Sequence, residues 1–178
     1  MDADRESLSA PIATHSPQTG DVSTAVRSVF ERRLLDGGLS AGLALLNQRA
    51  RFRFTGVYRV VPPHLQNVSL YDRENPTLNV SGAVCALSDT FCSIVFEQRR
   101  SFHVDDAPGD GSLSTHPARE SVQSYAGVPI RLPDGRILGT LCHFDGRPRI
   151  LPPSELKLLE EVAPLLVSWL ARSASQHS

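Results

Sequence analysis

The segment SYAGVPIRLPDGRILGTLCHFD, residues 124–145, decides the fold. Ser124 to Leu132 and Arg136 to Phe144 alternate in the period of a strand, and Pro133-Asp134-Gly135 between them has the chemistry of a turn. Two antiparallel strands are expected, each with two distinct faces. On the second strand Leu138, Thr140, Cys142 and Phe144 share one face, with Ile137, Leu141 and His143 on the other.

Downstream, Pro152-Pro153-Ser154 opens a long helix, with Ser154 as its expected N-cap. Leu156, Leu159, Ala163, Leu166 and Leu170 recur at alternating three- and four-residue spacing. Leu158, Val162, Leu165 and Trp169 form a second stripe beside them. A helix apolar over two stripes buries both, either in one core or with one stripe against a partner subunit. Pro164 lies inside this helix and should kink it.

Upstream, an acidic Gly/Pro/Ser loop (105–115) leads into a short helix over 117–122, and a short strand is expected at 101–104. A helix is expected over 89–99. Strands are expected at 52–61 and 65–71, joined around Pro62-Pro63. The chain before them reads as a helix from Asp21, interrupted at Gly37-Gly38 and resuming from Leu39 to Ala50. Residues 1–20 have the composition of a disordered tail, and 173–178 form a short C-terminal tail. Residues 21–172 thus make one α+β domain. A central antiparallel sheet of five to six strands with the terminal helices on one face is expected.

Composition narrows the function. The 178 residues carry 18 basic and 19 acidic side chains, a net charge of −1, which argues against nucleic acid as a partner. Lys157 is the sole lysine, so chemistry built on a Schiff-base or phosphate-cradling lysine is disfavoured. No apolar run suits a membrane span and the N-terminus lacks a signal-peptide core, so no membrane association and a cytoplasmic location are expected. Three cysteines, Cys85, Cys92 and Cys142, without a C-x-x-C pair fit a reducing compartment, each read as a buried structural thiol.

The sequence resembles a GAF domain, the small-molecule sensory domain of many bacterial signalling proteins. The resemblance is carried by FTGVYRV (54–60), NVSLYDRE (67–74), LSDTFCSIV (87–95), HPARESVQSYAGVPI (116–130) and GRILGTLCHFD (135–145). It implies a stand-alone bacterial sensory or regulatory domain that binds a small molecule non-covalently. The signal would pass through the terminal helices or a homodimer interface to a downstream signalling protein. It names no cofactor, because fold does not fix the ligand.

Pairing Val60 with Leu65 sets Tyr58 opposite Asn67, Gly56 opposite Ser69 and Phe54 opposite Tyr71, a mixed polar-aromatic face that suits a pocket wall. Val57, Val68 and Leu70 fall on the face expected to meet the helices. In GAF domains that hold a chromophore, positions similar to Tyr58 and Phe144 line the pocket. By the same reading Thr140 and Cys142 enter it, with Ser124, Ala126 and Val128. The roof is expected from 89–95, including Phe91 and Cys92, and from the stretch near His116 and Arg119. Asp89 reads as a helix N-cap, with ligand contact as the alternative. His116 and Arg119 could clamp an anionic group, or Arg119 could pair with Glu120 or Glu97. The candidate ligand-binding set is Tyr58, Tyr71, Asp89, Phe91, Cys92, His116, Arg119, Ser124, Thr140 and Cys142.

Alternatives to the sensory reading follow from the resemblance. Some GAF domains are free methionine sulfoxide reductases that work through cysteines around the pocket. Here Cys92 would serve with Cys85 or Cys142, although the glycine-rich cysteine segment of those enzymes is absent and no catalytic residue is assigned. Cys142-His143 matches a bilin-attachment dipeptide, but it falls on a strand, where its side chains diverge. The Asn-Lys signature of cyclic-nucleotide-binding members is missing. A ligand-free dimerisation scaffold is the third reading. No metal site is expected: Asp105, Asp106 and Asp110 with His103 and His116 match neither a calcium loop nor a zinc pattern.

Overall fold

The computed structural model describes residues 19–174, with side chains from 23 to 172. The two expected tails lie largely outside these residues: helix α1 (Thr19–Arg49) begins two residues before Asp21, and the last helix runs two residues past 172, to Ala174. Gly38 breaks it with a left-handed φ of 69°, a conformation that glycine adopts without steric cost, so two helical arms meet at a kink. Six strands follow: β1 (Phe54–Val61), β2 (His64–Asp72), β3 (Val84–Ala86), β4 (Phe102–Val104), β5 (Ser124–Arg131) and β6 (Ile137–Asp145). Helix α2 (Cys92–Gln98) lies between β3 and β4, and α3 (Pro153–Val162) and α4 (Val167–Ala174) close the chain. All pairings are antiparallel, in the order β3-β2-β1-β6-β5-β4.

The kink expected at Pro164 is a short 3-10 stretch, Ala163–Leu166, separating α3 from α4. Proline cannot supply the backbone N–H that a continuous helix needs there. Ser154 is not the N-cap. Pro152 takes that position and Pro153 opens the helix, where a fixed φ is favourable and the missing N–H has no partner to lose.

One face of the sheet is a closed aliphatic core. Phe30, Leu34, Leu43 and Leu46 of α1 meet Val57, Val128, Ile130 and Leu141 of the sheet. Leu158, Leu159, Val162, Ala163, Leu166 and Leu170 complete it, so both stripes of the C-terminal helices contribute to one core. A buried polar network ties α1 to this face. Asn47 Nδ2 donates to Thr55 Oγ1 (2.9 Å) and to the Phe52 carbonyl (3.1 Å), while Arg73 Nε donates to Asn47 Oδ1 (3.0 Å). The Thr55 hydroxyl, which accepts from Asn47, also hydrogen-bonds His143 Nδ1 at 2.7 Å.

The register corrects the expected sorting of faces. Tyr58 pairs with Asn67 and Val60 with Leu65, but Val57 pairs with Ser69, leaving Val68 as an extra bulged residue. Beyond it every β2 side chain changes face. Gly56 meets Leu70, Phe54 meets Asp72, and Tyr71 packs with the helix-facing core instead of beside Tyr58. On β5, Tyr125 pairs with Phe144 and Gly127 with Cys142. Ser124, Ala126 and Val128 therefore face the helices, and Tyr125 takes the place expected for them.

Candidate functional site

The other face carries a cavity of about 130 Å³, roofed by α2 and the turns beside it. Its walls are Tyr58, Leu65, Phe91, Val122, Tyr125 and Phe144, and all three cysteines line it. The floor is built from a row across three strands, Gly56, Cys142 and Gly127. A Cβ on Gly56 would meet the Tyr58 ring at 2.7 Å, and one on Gly127 would meet the Tyr125 hydroxyl at 2.1 Å. Each glycine thus lets a tyrosine fold back over the sheet, one on either side of the Cys142 thiol.

Cys92, the first residue of α2, descends onto that floor and is buried. The Thr140 hydroxyl donates to its Sγ at 3.2 Å and the Tyr125 hydroxyl at 3.4 Å, and Cys142 lines the same cavity. Hydrogen bonding from Cys142, then from Thr140, Tyr125 and Thr90, outweighs burial and lowers the Cys92 pKa to about 7. Cys142 moves the opposite way, pushed well up by burial and by its neighbour Cys92. Its thiol donates to the Gly56 carbonyl, 3.8 Å from Sγ. Burial also raises the Tyr58 and Tyr125 phenols well above their ordinary range, so both are neutral donors.

Cys85 differs from the other two. It sits on the edge strand β3, opposite Leu65, and is exposed at the cavity mouth, contrary to the expectation that it is a buried structural thiol. Its pKa is raised, by burial of the sulfur and then by the proximity of Cys92 and Asp89.

Tyr58, Asp89, Phe91, Cys92 and Cys142 of the candidate set line the cavity, and Thr140 supports it through Cys92. Asp89 is not an N-cap. It ends a 3-10 turn, Leu87–Asp89, and α2 starts three residues later behind Phe91, which offers no capping side chain. His116 stacks on Phe91 (ring centroids 4.5 Å apart) and lies behind it. Its Nδ1 accepts from the Ala118 N–H (3.2 Å), leaving Nε2–H to donate to Ser93 Oγ (3.4 Å), and burial lowers its pKa. Arg119 donates to the carbonyls of Pro108 and Ser114, pinning the 105–115 loop. Neither reaches the cavity as an anion clamp. Tyr71 and Ser124 are on the far face; Ser124 Oγ donates to the Arg147 carbonyl at 2.7 Å.

Tyr125, Val122, Leu65 and Thr90 are lining residues absent from the candidate set. A signal for Tyr125 was present in the clean aliphatic alternation of Ala126, Val128 and Ile130, which marks the opposite face as the helix-covered one. Among the described residues no cluster of His, Cys, Asp and Glu could hold a metal ion, and no helix is long and apolar enough to cross a membrane.

A six-stranded antiparallel sheet with terminal helices on one face and a roofed recess on the other defines the GAF fold class, a class of sensory and regulatory domains. A family model described as GAF domain matches residues 21–170, and the chain belongs to that family. The structure is similar to the GAF domain of an Acinetobacter phosphoenolpyruvate-protein phosphotransferase (TM-score 0.68, 12% identity, covering 86% of this chain and 96% of that one). It is also similar to a free methionine-R-sulfoxide reductase from Neisseria meningitidis solved in complex with its substrate (0.64, 18% identity, 94% and 99%). A third likeness is to the chromophore-binding domain of a bacteriophytochrome from R. palustris (0.65, 11% identity, 90% and 64%). No curated protein sequence matches this chain.

Proposed function

We propose that this GAF domain is a cytoplasmic sensory module that binds a small, largely apolar molecule non-covalently in the cavity beneath α2. The observation that carries this reading is the cavity itself. Aromatic and aliphatic walls surround it, the only carboxylate among its lining residues is Asp89 at the mouth, and no basic side chain lines it. Output would pass through β6 to the terminal helices. Cys142 faces the cavity, while its neighbour His143 faces the helices and reaches α1 through Thr55 and Asn47. A ligand that prefers one seating of β6 would bias the seating of α1. A homodimer through α1 and α4, relaying to a downstream signalling protein, suits the groove where Leu35, 86% exposed, adjoins Leu165 and Trp169.

Thermal melting with a panel of small apolar probes (indole, benzyl alcohol, short-chain fatty alcohols) tests the reading. At least one should raise Tm in the native protein, and Val122→Phe, which fills the cavity from its wall, should abolish that shift. Equal shifts in both proteins would place binding elsewhere.

A second reading, a thiol reductase acting on free methionine sulfoxide, is favoured by three cysteines around one cavity and by the fold shared with the Neisseria meningitidis enzyme. The cavity wall weighs against it, because a free amino acid brings two charges and no cation lines the cavity to meet its carboxylate. Thiol-dependent reduction of free methionine sulfoxide, lost in Cys92→Ser, would establish it over the sensor.

A further inference from the structure

We propose that Cys92 and Cys142 form a redox pair that reacts with a small alkyl hydroperoxide admitted to the cavity and is left as a disulfide. The proposal rests on the reading that this cavity takes small apolar molecules, and it adds a covalent outcome to that binding.

Four features of the site support it. Cys92 is one of the residues that line the cavity. Two hydroxyls, Thr140 at 3.2 Å and Tyr125 at 3.4 Å, point at that sulfur. A second cysteine, Cys142, lines the same cavity of about 130 Å³, so Cys92 is not a lone cysteine there. The walls are apolar, which suits an alkyl group better than a second charge. The thiolate population at neutral pH is consistent with this arrangement.

The chemistry balances with one oxidant. The Cys92 thiolate attacks the terminal peroxide oxygen; the S–O bond forms as the O–O bond breaks, giving a sulfenic acid and an alkoxide. The hydroxyls of Thr140 and Tyr125 stand where they can hydrogen-bond the departing alkoxide, which takes up the proton that Cys92 released and leaves as the alcohol. The Cys142 sulfur then attacks the sulfenic sulfur. Its proton leaves with the hydroxyl as water, and the Cys92–Cys142 disulfide remains. An external dithiol restores both thiols. Cys142 is rooted in β6, so closing the disulfide draws α2 down onto the strand that also carries His143, giving the oxidised state a route to α1.

The experiment treats the full chain with one equivalent of tert-butyl hydroperoxide at pH 7 and titrates free thiols after denaturation, with hydrogen peroxide as the comparison oxidant. The native protein should lose two of its three thiols. Peptide mapping should join residue 92 to residue 142, dithiothreitol should reverse the loss, and the alkyl hydroperoxide should react faster than hydrogen peroxide. Cys142→Ser should stop at a sulfenic acid that dimedone captures, and Cys92→Ser should keep its remaining two thiols reduced. Thr140→Val, melting separately to confirm its fold, should move the pH midpoint of the reaction upward. Three surviving thiols, or a link from Cys85 to either partner, would overturn the proposal. If the thiols survive while a Val122-dependent probe still raises Tm, the redox step falls and the binding reading stands. Disulfide formation without any probe binding separates the two in the other direction. Turnover of methionine sulfoxide but not of hydroperoxide transfers the pair to the reductase reading and ends this one.

Discussion

The two faces of the sheet are both covered but built to opposite rules. The helix-covered face is filled by branched aliphatics from α1, α3 and α4 meshing with Val57, Val128, Ile130 and Leu141. The α2-covered face replaces that filling with thiols, phenols and a row of glycines, and keeps a void. Close-packed side chains specify a fold, whereas hydroxyls and thiols turned toward an unfilled space do not improve packing. Burial alone therefore fails to distinguish structural from functional positions here: Leu141 and Cys142 are adjacent, both inaccessible, and belong to different tasks.

The comparison breaks most readily at Leu166. It is wholly buried in the helix-facing core, and Leu166→Ala should cost about 2–5 kcal/mol by urea unfolding. Cys142→Ala, beside an existing void, should cost less than Leu166→Ala, and equal losses would erase the distinction.

Next in size is a pH effect confined to the helix face. Burial, with Arg73 nearby, lowers the His143 pKa from 6.5 to about 3, so the folded chain keeps the ring neutral where the unfolded chain protonates it. This contribution is fully present above pH 6.5 and is lost as pH falls from there toward 3. The slope is about 1.4 kcal/mol per pH unit for one proton. Unfolding free energies measured across that range should lose one proton's worth of slope in His143→Asn. An unchanged slope would mean the ring is not held neutral.

Asn47→Ala should then cost about 1–3 kcal/mol, because Thr55, Arg73 and the Phe52 carbonyl lose a shared partner. If the Asn47 link carries output, the same variant should leave probe binding intact while uncoupling it from the state of α1, read by hydrogen exchange along that helix. Smallest in energy is Thr140→Val. It should change stability by about 1 kcal/mol or less, yet shift iodoacetamide alkylation of Cys92 to higher pH. No shift would mean that the hydroxyl does not stabilise the thiolate.

Much of the architecture was legible because hydrophobic period and turn chemistry are local. The β5–β6 hairpin follows from its alternation and Pro-Asp-Gly turn, the kink at Pro164 from a missing donor, and the break at Gly38 from glycine's freedom. Faces were less legible, because one bulged residue inverts everything beyond it. Val68 leaves no mark in composition, yet it moves Tyr71 to the far side. A second irregularity between Ile130 and Arg131 returns Leu138 to the helix-facing core, away from Thr140 and Cys142. Strand β3 is three exposed residues after a polar stretch, too short to carry a period, so the position of Cys85 at the mouth was invisible. His116 and Arg119 carry ligand-like chemistry, but their local neighbours engage them first: the Ala118 N–H and Ser93 hydroxyl for His116, and the Pro108 and Ser114 carbonyls with the Glu120 carboxylate for Arg119, a competition that sequence does not display.

Native mass spectrometry of the chain purified gently from its own host measures most directly whether the α2-covered face receives a small molecule. A retained mass on the native protein that is missing from Val122→Phe is the expected outcome. Identical masses for the two, each equal to the bare polypeptide or each carrying the same adduct, would contradict a ligand in this cavity.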